Sequence, residues 1–416
     1  MRTGKVTEEQ LSGYASLLVH KGAAIREGQE LVLDAPVERA DFARLVVEAA
    51  YKAGAGHVTV IWHDDEVQRL TYQNVSLSFF ERTPSWKVEQ LNSLAEAGAS
   101  FLFLEGSDPS ALVGIDPAKP AAASRSRNRE CSSFRNGMDF GRNVWCIAGV
   151  PVRAWATKVY PDVPAEEAVD RLWLTILSVA RADGTDPEAA WEAHDAAFKR
   201  NLAFLNDHAF DALRYQASNG TNLTVGLNRG HVWEGGAAVT VGGTSYFPNI
   251  PTEEVFTTPN RLRAQGVVYS VLPLVHAGSI VEDFWFRFDG GRVVDYGAAR
   301  GIEVLDHILQ SDENSSYLGE CALISKDTPI RQSGVLFYDT LYDENASCHL
   351  ALGMGFPECL EGGLDLTKEE LLARGVNQSV THVDFMIGSD DLNVWGVDAR
   401  GRETPVFADG RWAWQD

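Results

Sequence analysis

The chain has 416 residues, and 58 Asp+Glu against 36 Lys+Arg give it a formal charge of −22 at pH 7. Its 45% hydrophobic and 23% charged composition is that of an ordinary soluble globular protein, which excludes disorder, collagen and coiled coil as the main organisation. The acidic balance also excludes a non-specific nucleic-acid binder, since phosphate backbones need clustered cations, and it repels anionic membranes at long range.

At about 100–200 residues per domain, two or three domains are expected. The five cysteines (Cys131, Cys146, Cys321, Cys348 and Cys359) are odd in number, widely spread and without a CxxC pair. That is cytosolic usage rather than a disulfide framework. The N-terminal segment carries charge throughout and has no apolar run of signal-peptide kind, and no apolar run is long enough to cross a membrane. The expectation is a cytoplasmic protein with no membrane and no nucleic-acid partner.

In chain order, residues 30–34 (ELVLD) read as a short apolar strand. Phe42, Leu45, Val46, Ala49 and Ala50 then recur at helical spacing, and Gly54 and Gly56 end that helix before the β-branched strand 57–62. This is a βαβ unit, which forces parallel pairing and a right-handed crossover. Residues 100–104 and 144–148 are further buried-strand candidates. Val169, Leu172, Trp173, Ile176 and Leu177 mark a helix over about 164–182, and a long helix follows over 186–207. No glycine-rich phosphate loop follows the first strand. After Asn219 the character changes to short β segments (222–227, 266–270, 284–288, 292–296) separated by Gly and Asn turns, with hairpins expected at Gly290–Gly291 and at Asp409–Gly410. The fold class is therefore an α/β N-terminal domain with an open, mostly parallel sheet (1–218), followed by a β-rich α+β C-terminal domain (219–416).

Four phrases in the second half place acidic and imidazole residues inside apolar stretches: NIPTEEVFTTP (249–259), LGECALI (318–324), LYDENASCHLALG (341–353) and VTHVDFMIGSDDL (380–392). In the first, Glu253 and Glu254 are consecutive, so in a strand only one of them points into a site. In the last, His382 and Asp384 are two apart and share a strand face. Mixed imidazole and carboxylate donors suit Zn²⁺, Co²⁺ or Mn²⁺, and the set exceeds what one tetrahedral ion needs. Two ions bridged by a carboxylate would use all of it. Each element alone has a commoner reading, as a strand hydrogen-bond pair, a solvated strand-end Glu or a core histidine. The four together, each flanked by residues that would bury its charge, favour a metal, because an unpaired buried carboxylate is costly.

Taken together the four phrases resemble the thermophilic-type metallo-aminopeptidases, the aminopeptidase T and aminopeptidase S group, over nearly the whole chain. The resemblance implies an N-terminal α/β domain, a β-rich C-terminal domain, a dinuclear metal site between them, a homodimer enclosing a cavity, and removal of N-terminal amino acids from peptides. It places the metal ligands on Glu254, Glu320, His349, His382 and Asp384, with two divalent ions (Zn, Co or Mn) as cofactors. One position departs from the family pattern: Phe356 stands seven residues after His349, where the family has Tyr. A phenol there can ligate or hydrogen-bond a metal-bound group, and Phe can do neither.

Such a site needs a general base for the nucleophilic water, and Glu253 is the candidate by its place beside Glu254, although strand alternation counts against it. Three other features are noted. His63-Asp-Asp-Glu66 ends a parallel strand where α/β sheets bind ligands, with a solvated loop as the plainer reading. Arg125, Arg127 and Arg129 form a dense basic run, read as a surface loop. His231 and Glu234 lie between β segments. Two other functions compete. One is a mononuclear Fe(II) oxygenase with a facial triad of His349, His382 and Asp384. The other is an altered amidase or peptide binder whose turnover is weakened by Phe356.

Overall fold

A computed structural model describes residues 4–276 and 279–414 and divides into two compact units, Met1–His194 with Ala237–Pro251, and Asp195–Gly236 with Thr252–Asp416.

The first unit is built on a five-stranded parallel sheet ordered Asn249–Ile250, Trp145–Gly149, Ser100–Glu105, Glu30–Pro36, His57–His63. Its interior strand Glu30–Pro36 carries Leu31, Val32 and Leu33 at 2% exposure or less, as a strand covered on both faces requires. Helix Ala40–Lys52 buries Phe42, Ala43, Val46 and Ala50 and leaves Arg44 and Glu48 in solvent. The rings of Tyr14, Phe42 and Trp173 pack at centroid distances of 5.2–6.5 Å, and the Tyr14 hydroxyl donates to the Gly149 carbonyl at 3.2 Å. Phe42→Ala there costs about 3–5 kcal/mol.

Two helices of this unit, Ala118–Glu130 and Ser132–Asp139, have no counterpart in the sequence reading. The first buries only Ala122 and Ser126, so it shows no apolar stripe to recognise. The Arg125–Arg129 run lies on its exposed side, and is therefore helical rather than a loop. The strand Asn249–Ile250 is also unforeseen: two residues carry no period.

The second unit holds two large antiparallel sheets and a two-stranded one, Leu274–His276 with Ser279–Val281. The larger runs Arg292–Gly297, Trp285–Asp289, Pro259–Tyr269, Asn222–Leu227, Ala212–Gln216, Asn393–Val397, Glu403–Ala408, Arg411–Trp412. Both expected hairpins are present. Asp289 pairs with Arg292 around Gly290 and Gly291 (φ 56° and 85°), and Ala408 pairs with Arg411 around Asp409 and Gly410 (φ 47° and 73°). Two consecutive left-handed residues match the twist of the strands they join.

The smaller sheet is ordered His382–Met386, His349–Gly353, Leu318–Leu323, Val255–Thr257, Glu234–Gly235. Side chains alternate across it with period two. One face presents Val255, Cys321, Leu323, Cys348, Leu350, Leu352, Val383 and Phe385, all members of the unit's main hydrophobic core. The opposite face carries the polar residues. The fold thus combines a parallel α/β region with a β-rich region.

Candidate metal centre

Cross-strand register assembles the polar face. Ala322 pairs with His349, Glu320 with Ala351, Ala351 with Asp384 and Gly353 with His382. Directly opposed residues share a face, so Glu320, His349, His382 and Asp384 all project from one side. A bulge between Leu318 and Glu320 sets Glu320 in this register. Gly353 (φ 108°) allows the His382 strand to approach, because a Cβ there would lie 2.1 Å from the Thr381 carbonyl oxygen.

Glu254 arrives from the segment just before the Val255–Thr257 strand. The backbone there is held by Asn345, whose Oδ1 accepts the Glu253 N–H at 2.7 Å while its Nδ2 donates to the Leu341 carbonyl at 2.8 Å.

The donor atoms fall into two groups, each with its members within 4.8 Å of one another: Glu254, Glu320 and His349, and Glu320, His382 and Asp384. Glu320 belongs to both. His349 Nε2 is 3.3 Å from Glu254 Oε2, and His382 Nε2 is 3.1 Å from Glu320 Oε2 and 3.2 Å from Asp384 Oδ1. Donors bonded at 2.0–2.1 Å to one tetrahedral ion stand about 3.3 Å apart, so these spacings are those of ligands around a common centre.

Both imidazoles are oriented from behind. His349 Nδ1 lies 3.1 Å from the Glu344 carbonyl and 3.2 Å from that of Ser347, and His382 Nδ1 lies 2.7 Å from the Met354 carbonyl. A backbone acceptor at Nδ1 fixes the proton there and turns the Nε2 lone pair inward, as at histidine metal sites. Asp384 Oδ1 is buried beside the His382 imidazole without a well-aligned hydrogen bond, and a cation would satisfy it. The residues present therefore fit a divalent metal.

Electrostatics agree. Burial works against charge on His349 and His382, but the surrounding carboxylates outweigh it and hold both well above the ordinary histidine value. Burial pushes Glu320 up to about 7, with His382 opposing. Burial would raise Asp384 as well, but His382 holds it below its ordinary value.

Glu344, which the sequence reading passed over, faces this cluster. It ends the helix Thr340–Glu344 and is partly exposed. Its carboxyl is pushed well above the ordinary range by the surrounding protein and then by the like charges of Asp384 and Glu254. Among the described residues no hydrogen bond reaches its carboxylate, and it belongs to neither donor group. The only sequence signal was an acidic pair opening a nearly uncharged stretch. Glu253 is in neither donor group, and its amide N–H donates to Asn345 at the end of the neighbouring helix. His349 is grouped apart from His382 and Asp384, which counts against a single three-ligand iron.

Phe356 lies beside the cluster, its ring 5.0 Å from that of His382 and 5.4 Å from that of Phe256. Thr258 pins it by accepting its N–H at 2.7 Å and donating to its carbonyl at 3.3 Å. His231 is half-buried with Nδ1 2.9 Å from the Asn228 carbonyl, and burial lowers its pKa.

In the first unit, His63 and its acidic neighbours line a cleft of about 190 Å³ at the carboxyl ends of the strands. Three aspartates at this place already have partners. Asp34 holds His63 Nδ1 at 2.6 Å, Asp64 accepts the Val67 N–H at 3.1 Å and caps a helix, and Asp65 accepts the Asp108 N–H at 2.7 Å.

Residues 7–412 match the family model described as thermophilic metalloprotease (M29). The chain is 42% identical to aminopeptidase AmpS of Bacillus subtilis over 405 residues, covering 97% of this chain and 98% of that protein. It is likewise 42% identical to aminopeptidase T of Thermus aquaticus over 404 residues, with the same coverage. Among solved structures it is similar to wild-type AmpT from Thermus thermophilus, with a TM-score of 0.91 and 40% identity over 98% of this chain and 100% of that one. Family membership implies a divalent metal cofactor, and the donor set fits one. The chain belongs to the thermophilic metalloprotease (M29) family.

Proposed function

We propose that the chain is a metal-dependent aminopeptidase whose β-rich unit carries a dinuclear centre, with Glu254, Glu320 and His349 holding one ion and Glu320, His382 and Asp384 the other. The observation that carries this reading is the membership of Glu320 in both donor groups. The near-full-length similarity to aminopeptidases supports the substrate class. When bound, two divalent ions (Zn, Co or Mn) supply a water acidic enough to ionise near neutral pH and a Lewis acid for the scissile carbonyl.

The chain's own residues do the rest. The Nδ1 bonds of His349 and His382 hold both imidazoles in one tautomer. The core face of the sheet fixes the strands that carry the ligands. Glu344, outside both donor groups but facing them, is placed to take a proton and return it to the leaving amine. We assign it that part in preference to Glu253. Glu344→Gln tests this: turnover falls while bound metal is retained, whereas loss of metal would make Glu344 a ligand instead.

The resemblance read from the sequence also supports a homodimer acting on peptides, and the cysteine usage a cytoplasmic one; the dimer is checked by mass in solution. Phe356 favours one variant of this reading, an enzyme of reduced or redirected turnover, because it has no hydroxyl where the family places one. Metal analysis of purified protein, paired with hydrolysis of a panel of aminoacyl amides, tests the whole. Ions bound without cleavage of any amide would leave the binder.

A further inference from the structure

The polar face of the smaller sheet extends past the donor groups. Glu234 pairs with Phe256, which pairs with Ala322, which pairs with His349, so the four residues form one row across adjacent strands. Trp233, the neighbour of Glu234, is 1% exposed and belongs to the hydrophobic core on the other face. Strand alternation therefore puts Glu234 on the side of the ligands. Among the described residues, no hydrogen bond or ion pair reaches its carboxylate. Burial raises its pKa, and no cation counteracts the shift. A partly buried carboxylate without a counter-charge is costly unless a ligand supplies one. The buried Cys359 thiol is held well above its ordinary value by burial and then by Glu358, Glu234 and Glu320, so Glu234 and Glu320 act on the same small region.

Between Glu234 and the donor groups lies an aromatic floor. The Phe256 and Phe356 rings meet at 5.4 Å, and Phe356 continues to His382 at 5.0 Å; both phenylalanines are partly exposed.

We propose that Glu234 is a specificity-determining residue that receives the cationic side chain of a lysine or arginine at the substrate's N-terminus, with the aliphatic stem lying over Phe256 and Phe356. This rests on the aminopeptidase reading above. Distance selects the side chain rather than the α-ammonium group. Two strand spacings, about 9–10 Å, separate Glu234 from the strand that carries Glu320, the donor common to both groups. An α-nitrogen lies only about 2.5 Å from its own carbonyl carbon, too near the scissile bond to reach Glu234. The long stems of lysine and arginine span the gap, and an apolar stem with a charged tip suits an aromatic floor ending in a carboxylate.

The test compares the metal-loaded protein with Glu234→Gln, an isosteric change at a partly exposed site. Two quantities are read: kcat/KM on arginyl, lysyl and leucyl amides, and calorimetric affinity for L-argininamide and L-leucinamide. A hydrogen bond to a charged group predicts a loss of about 10-fold or more for the basic compounds in both, with the leucyl ones within about twofold. An equal loss on all three would assign Glu234 to the α-ammonium group and overturn the proposal, as would no loss. If the wild type cleaves none of the amides, the aminopeptidase reading fails, and the affinity ratio of the two amides still decides the role of Glu234.

Discussion

The two units each gather histidine and carboxylates at the ends or faces of strands, yet they treat the charges in opposite ways. In the first unit Asp34, Asp64 and Asp65 accept from His63 or from backbone N–H groups, so their charge is neutralised locally. In the second, Glu254, Glu320 and Asp384 converge on two imidazoles whose other nitrogens are already committed to carbonyls. Carboxylates that cap and pair maintain a fold. Carboxylates that converge on inward-facing imidazoles suit a divalent cation.

The largest effect that sharpens this contrast comes from Glu320→Gln. A neutral amide cannot bridge two ions, so turnover should fall by about 10³-fold or more while circular dichroism stays native; a shortfall of that order matches the loss of a principal transition-state charge stabiliser. Asp65→Asn in the first unit should cost only about 1–2 kcal/mol of stability and leave metal content unchanged. Near-normal turnover in the first variant, or metal loss in the second, would reverse the roles assigned to the two regions.

Exhaustive chelation should abolish hydrolysis, and Zn²⁺, Co²⁺ or Mn²⁺ should restore it, with activity followed on a leucyl amide. Activity surviving with metal verified absent would break the metallohydrolase reading.

The pH dependence follows from the directions of the shifts. In the metal-free site His349 and His382 are held well above their ordinary value and Glu320 near 7, so they carry protons at neutral pH that an ion must displace. A group protonated in the free state and deprotonated in the bound state makes binding tighter as pH rises. Calorimetry in buffers of different ionisation heat should show proton release and affinity increasing through about pH 7. Affinity that falls with pH would contradict the assignment.

The smallest expected change is at Phe356. Phe356→Tyr should raise turnover a few-fold, about what one added hydrogen bond is worth, or tighten one ion. If the ring instead lines a pocket for an apolar substrate, the Michaelis constant for that substrate rises.

Much of this arrangement was legible in the sequence because it follows local periods. The i, i+2 spacing of His382 and Asp384 put both on one face, and the helical spacing of Phe42, Val46 and Ala50 marked a buried stripe. The two glycine-containing hairpins followed from the left-handed turn they require. What escaped depends on non-local pairing. Glu344 faces the cluster from a helix end, through space rather than by strand register. The row from Glu234 to His349 exists only because four strands align. Asn249–Ile250 joins the parallel sheet on two residues, and the helix Ala118–Glu130 packs on Ala122 and Ser126, too small to leave an apolar pattern.

The central claim is that Glu320 joins two metal positions, and metal stoichiometry tests it most directly. Native mass spectrometry with elemental analysis should find two divalent ions per chain in the wild type, and one in either His349→Ala or His382→Ala, each variant emptying one group. Glu320→Gln should lose both or bind them far more weakly. A wild type that saturates at one ion, or two histidine variants that empty the same position, would contradict the account.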